Sequence, residues 1–269
     1  MDDASPHPNY VKGSATSQLA VLPLPTPFKP FLSSVKEPNT YSYHGPLFQL
    51  LAWLSSRPSS EPTSVRDPVT ASIFSHTDAT SATTTKSFLL TFLEQAASDC
   101  KHSSDCCWLD IRMTKPEDYF KIPRWHQDGN YFEHTTASTA QPRSKWATTL
   151  LGPSTLFLDL DFSDPELRDY VNFENEGAEW RSSQSDDPDN SVNKKKVDDY
   201  LRGKKGPKIV ELELGQVVRF GYGQLESPVH SEPDMSGGDR VFVSVMFGFE
   251  GEMRELSKRW KVQWGEGWS

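Results

Sequence analysis

The chain has 269 residues and a net charge of −9, with 35% hydrophobic and 24% charged residues. That apolar share supports a sizeable core and excludes a globally disordered chain. The acidic balance excludes a general nucleic-acid binder, which needs a concentrated basic surface, and no apolar run approaches the ~20 residues of a membrane helix.

Residues 1–40, with "VLPLPTPFKPFLSSVKEPNT", are rich in Pro, Ser and Thr and read as an extended arm. The opening "MDDASPHPNY" is acidic, unlike a secretory signal or an Arg-rich transit peptide. Residues 41–106 read as a helical part packed on the core. In "GPLFQLLAWLSSR", Leu47, Leu50, Leu51 and Leu54 fall at helical spacing. A Ser/Thr/Pro-rich loop at about 55–70 precedes "TTTKSFLLTFLEQAASDC", a second helix with a Thr cap and apolar residues at 88, 89, 92 and 93. Cys100, Cys106 and Cys107 make no disulfide framework, so a reducing, intracellular and cytoplasmic setting is expected. Their spacing with His102 matches no standard zinc finger.

From residue 107 to the end the pattern changes. "CCWLDIRM", "KWATTLLG", "TLFLDLDF", "KIVELELGQVVRFGYG" and "RVFVSVMFGF" have the length and the β-branched and aromatic content of strands. Strands without long intervening helices predict a mainly β fold with N-terminal helices, an antiparallel sandwich or jelly roll. A polar stretch at about 172–208, carrying Lys194, Lys195 and Lys196, reads as an insertion between strands, with a short helix near Val197 to Leu201.

"RWHQDGNYF" sets His126 two positions before Asp128. On a strand the two side chains share a face. Of the other histidines, His7, His44, His76 and His102 lie outside the strand-rich half, and His134 follows the pair after a short stretch. His230, before the last strong strand, is the candidate third ligand. Two imidazoles and a carboxylate on one face of an iron ion leave three positions open, the facial triad of non-heme Fe(II) oxygenases.

His126-Gln127-Asp128, then His230, then Arg240 ten residues later and a hydrophobic strand resemble the His-x-Asp…His…Arg signature of Fe(II)/2-oxoglutarate-dependent dioxygenases. The resemblance spans roughly residues 107–250. It implies a double-stranded β-helix, a jelly-roll, cupin-like fold, with His126, Asp128 and His230 holding Fe(II) and 2-oxoglutarate as cosubstrate. It also implies that dioxygen and a small-molecule or amino-acid-like substrate bind next, with oxidation of an unactivated C–H bond and decarboxylation to succinate. Arg240 would grip the distal carboxylate of 2-oxoglutarate, for which a planar, permanently charged donor suits. The family places Ser or Thr two residues beyond that Arg; here Phe242 stands there and Ser244 follows on the same strand face. Lys145, Thr148 and Thr149 are further donor candidates, while "LGPST", ending at Thr155, reads as a structural turn.

Aromatics flank the ligands: Trp125, Tyr131 and Phe132 on one side, Phe220 and Tyr222 on the other. Tyr131, Arg112 and Tyr222 are candidate substrate contacts, with Arg124 and Gln224 behind them. The competing reading of Arg240 is a strand-end charge bound to Asp239 or Asp234. Two rival functions share the fold: a cupin-like metalloprotein that does not use 2-oxoglutarate, and a non-catalytic jelly-roll binding module. Oligomeric state has no signature in the sequence.

Overall fold

The computed structural model describes residues 19–22, 29–56, 67–100, 105–117, 125–129, 131, 143–159, 208–222 and 227–268. Most of the arm, residues 172–207 of the insertion with the expected short helix, His7, His102, Arg124, Phe132, His134 and Gln224 lie outside them. Among the described residues the chain is mainly antiparallel sheet with four helices.

A seven-stranded sheet runs in the order β1 (Leu19–Leu22), β9 (Val217–Tyr222), β6 (Arg143–Leu151), β11 (Arg240–Gly248), β5 (Cys106–Thr114), β3 (Asn39–Pro46) and β12 (Gly267–Trp268). A small sheet holds β10 (His230–Ser231), β7 (Leu156–Asp159) and β8 (Lys208–Glu211). The pair β2 (Leu32–Val35) and β4 (Thr77–Ala79) stands apart. The helices are α1 (Leu47–Ser55), α2 (Pro68–His76), α3 (Ala82–Asp99) and α4 (Glu250–Trp260). None of them is long and apolar enough to cross a membrane.

From β5 onward the chain alternates between sheets. β5 lies in the large one; His126 then bridges His230 of the small one; β6 returns to the large, β7 and β8 to the small, and β9, β10 and β11 alternate again. Residues distant in sequence therefore become neighbours. Phe157 on β7 meets Phe220 on β9 with ring centroids 5.2 Å apart, and Ala147, Val218 and Phe242 complete this contact between the sheets.

The strand period sorts the large sheet into two faces. Leu109, Ile111, Met113, Val241, Val243 and Val245 pack against α1, α2 and α3 through Leu50, Ile73, Leu89, Phe92 and Leu93. Cys106 and Cys107, adjacent on β5, point to opposite faces and belong to different clusters, so one metal ion cannot take both. Trp146 on β6 and Arg219 on β9 both reach Asp99 at the end of α3, at 2.9 and 3.1 Å, which ties that helix to the sheet.

Several elements depart from the sequence expectation. Asn39–Pro46 is a strand paired along its whole length with β5, although its residues are largely polar. α2 begins at the end of the expected loop and runs on to His76, where no element was expected, and α4 follows β11. The helix expected after residue 82 begins on Ser81, whose hydroxyl accepts from the Thr84 N–H, and not on a threonine. At α2 the Asp67 carboxylate accepts from the N–H groups of Val69 and Thr70 at 3.1 and 3.2 Å, with Pro68 at the position that needs no donor. Asp67→Ala is expected to cost about 1–2 kcal/mol in urea unfolding, with Asp67→Asn recovering most of it. Equal stability of the alanine variant and the parent would refute this cap.

Candidate metal centre

His126 and His230 face each other across antiparallel backbone. Each N–H donates to the other's carbonyl at 2.9 Å, which places the two side chains on the same side. Their rings lie 4.5 Å apart. Asp128, two residues on, reaches the same site, while the Gln127 side chain between them donates to the Ser227 carbonyl at 2.6 Å. The Asp128 Oδ1 is 3.8 Å from His126 Nε2 and 3.7 Å from His230 Nε2, and one ligand atom from each residue falls within 4.8 Å of the others. This is a group of three that could hold a metal ion.

The donor chemistry fits one. The His230 Nδ1 lies 3.1 Å from the Pro228 carbonyl, which can only accept, so Nδ1 donates there and Nε2 is the nitrogen turned toward Asp128. Phe157 stacks on the His230 ring at 5.6 Å and Phe220 lies at 4.9 Å, so the ring is held in place. Donors at ~2.1 Å from an ion and at right angles are about 3 Å apart. The two spacings to Asp128, 3.8 and 3.7 Å, exceed that by less than ~1 Å.

Lys145, on β6 of the large sheet, reaches across to this site. Its ammonium donates to Asp128 Oδ2 at 2.6 Å and to the Tyr131 hydroxyl at 3.2 Å. Burial, the largest single influence, would raise the Asp128 carboxyl; Lys145, His230 and His126 together outweigh it and hold the group well below the usual carboxylate range. Burial likewise opposes the charge on Lys145, and Asp128 more than restores it.

The triad opens into a cavity of about 290 Å³, at the small end of ligand pockets (roughly 300–1,000 Å³). Arg112, Tyr131, Lys145, Thr155, Glu232 and Arg240 contribute polar groups, and Phe220 and Phe242 apolar ones. Arg240 is buried. Its Nε donates to the Pro153 carbonyl at 3.0 Å, its Nη2 to Thr155 Oγ1 at 2.8 Å, and its guanidinium sits 4.6 Å from the Phe242 ring. Burial, with Arg112 acting the same way and Glu232 against it, pushes Arg240 down to about 10, so it stays a cation at neutral pH. Asp239 and Asp234 have other partners: Asp239 accepts from the Val35 N–H, and Asp234 from Ser236.

The candidates thus separate by position. His126, Asp128, His230, Arg240, Lys145, Tyr131 and Arg112 line one cavity. Ser244, Thr149 and Tyr222 do not line it. Ser244 sits opposite Asp110 in the sheet, Thr149 opposite Phe242, and Tyr222 packs with Met246, Met253 and Tyr131 under α4. Lys145 is placed beside Asp128, whereas the groups around Arg240 are acceptors, the Thr155 hydroxyl and the Pro153 carbonyl. Thr155 had the signature of a turn only. Glu232 was readable in principle, because it lies only two residues after His230. His44, on β3, is buried beside Ser257 with burial pushing it down to about 4, a neutral structural histidine.

No family model matches the chain, and no curated protein matches it in sequence. The crystal structure of HygX from Streptomyces hygroscopicus, with nickel and 2-oxoglutarate bound, aligns with 87% of this chain and 84% of that one, at 10% identity and a TM-score of 0.38. A likeness that slight carries no argument, and the site stands on its own residues.

Proposed function

We propose that the chain is a non-heme Fe(II)/2-oxoglutarate-dependent oxygenase on a double-stranded β-helix, acting on a small molecule. One observation carries the reading: two imidazoles paired across a backbone bridge and a carboxylate two residues on converge on the wall of a cavity that also holds a buried arginine. The alternation of strands from β5 to β11 between two sheets supports the jelly-roll winding.

His126, Asp128 and His230 would hold the metal through Nε2, one carboxylate oxygen and Nε2. Three ligands on one face leave three of six positions for cosubstrate and dioxygen. Fe(II) with 2-oxoglutarate supplies the chemistry: dioxygen is divided between succinate, formed with loss of carbon dioxide, and the oxidised substrate. The protein binds and orients. Arg240 presents a fixed positive charge with two of its five donors committed to Pro153 and Thr155, and the group faces the cavity. The distal carboxylate of the cosubstrate is the anion it suits. Phe220 and Phe242 keep part of the wall dry, and the cavity's volume suits a small substrate.

The test is succinate formation from 2-oxoglutarate in air with added Fe(II), for the parent chain and for Arg240→Ala. The parent is expected to turn over; the variant should lose about 100-fold, the worth of roughly 3 kcal/mol of charged hydrogen bonding, while its metal affinity stays within a few-fold. Metal bound at full stoichiometry, with substrate oxidation that ignores 2-oxoglutarate, would favour a cupin-like enzyme. A parent chain that takes up no Fe(II), Mn(II) or Ni(II) would leave a binding module.

A further inference from the structure

We infer that Lys145 is a positioning residue that restricts Asp128 to a single ligating oxygen, and so keeps one coordination corner open. This rests on the metal reading above.

The two oxygens of Asp128 have different surroundings. Oδ1 lies 3.8 and 3.7 Å from the histidine Nε2 atoms, while Oδ2 is 2.6 Å from the Lys145 ammonium. The clasp comes from the other sheet: Lys145 pairs with Phe220 and Met246 in the large sheet, whereas Asp128 follows the His126–His230 bridge. Its stem has little freedom to follow the carboxylate. The ammonium is itself fixed at 3.2 Å from the Tyr131 hydroxyl, and Tyr131 is wedged edge-on between Trp108 and Tyr222, at 5.6 and 5.2 Å. The Tyr131 carbonyl accepts in turn from Arg259 of α4. Four elements therefore agree on where Oδ2 must stay.

Coordination arithmetic gives this restraint a purpose. Carboxylates ligate through one oxygen or two. A six-coordinate ion with three protein donors has three positions left. A chelating 2-oxo acid takes two and dioxygen the third, so a second oxygen from Asp128 would remove the last one. A hydrogen-bonded cation on Oδ2 opposes that swing, since turning Oδ2 to the metal breaks a buried charged contact and leaves the ammonium without its partner. If Lys145 served only to neutralise a buried carboxylate, the number of open corners would not depend on it.

Counting water on the metal separates the two roles without any turnover. With Mn(II) alone as the probe, the parent should show three exchangeable waters by proton relaxation. Lys145→Met should show two, a relaxation enhancement lower by about one third, with a matching change in the visible spectrum of the Co(II)-loaded protein. Lys145→Arg, which keeps a donor cation, should restore the parent value. Tyr131→Phe, which leaves the ion pair intact but frees the ammonium, should shift the spectrum the same way by less, and serves if Lys145→Met fails to fold. Unchanged water number and Co(II) spectrum in the folded variants, with metal bound stoichiometrically, overturn the positioning role and leave the metal site standing. A parent chain that binds no Mn(II) or Co(II) overturns the metal site itself, and this role with it.

Discussion

His230→Ala is expected to abolish stoichiometric metal binding, with affinity for Mn(II) or Co(II) lowered at least ~100-fold by equilibrium dialysis. Changing partners that merely orient a ligand costs about 10–100-fold, so removing a ligand outright should cost more. The geometry says why nothing nearby compensates. The His230 ring is held by Phe157, Phe220 and the Pro228 carbonyl, and neither phenylalanine offers a donor. Glu232, two residues on, is near enough to Arg240 to influence its charge. The residual pair of His126 and Asp128 would bind an ion no better than many chance pairs on protein surfaces. His230 is buried, so the alanine variant also leaves a cavity and loses stability. His230→Gln fills most of that space, and a normal melting temperature with absent metal separates ligation from folding. His126→Ala makes the same prediction at a more exposed position, where packing matters less. Metal retained at parental affinity in both variants would place the ion elsewhere.

The triad was legible because its members announce themselves by chemistry. His126, Asp128 and His230 are the residue types that ligate; the expected strand under the first pair is only a single bridge at His126, yet the two side chains still meet. Strands β5, β6, β7, β9 and β11 were legible for a related reason: each is a short apolar run bounded by turns. What stayed hidden depends on pairing. β3 is polar along Ser42 and His44 because Asp110 and Ser257 meet those side chains across the interior, at 2.5 and 2.9 Å. A composition filter discards such a strand. α2 carried a visible Asp67-Pro68 start signal, masked by the Ser/Thr-rich stretch before it. α4 carried acidic residues in its first turn and basic ones in its last, yet its buried face is only Glu252, Met253, Leu256 and Ser257, too little apolar surface to stand out. Lys145 was noticed as a donor, but whether it meets Asp128 or Arg240 is decided by the register of β6 against β9 and β11. Register is a property of the assembled sheet.

The same dependence on assembled backbone makes Gly152→Ala the substitution with the largest expected effect on folding. Gly152 ends β6 in a left-handed conformation, φ +78°, and a Cβ built there would lie 2.1 Å from the Asp239 carbonyl oxygen and 3.2 Å from the Arg240 Cα. The φ alone disfavours alanine by about 1–2 kcal/mol. The contact is worse, because the obstacle is backbone and cannot rotate away; the turn or the start of β11 must move. Both carry the site: Pro153 and Thr155, just beyond Gly152, supply the oxygens that Arg240 binds. The variant is expected to lose about 2–4 kcal/mol, a melting point lower by roughly 4–16 °C at ~2–4 °C per kcal/mol for a chain of this size. Below its melting point it should bind metal nearly as well as the parent, since the triad rests on the other sheet, but it should bind 2-oxoglutarate much more weakly. Gly237→Ala is the control: it lies in the connection between β10 and β11 with nothing within 4 Å of an added Cβ, and should change stability by no more than ~0.5 kcal/mol. Equal melting points for the two variants would show that the turn can yield without moving Arg240, and that its glycine is not what fixes the cradle.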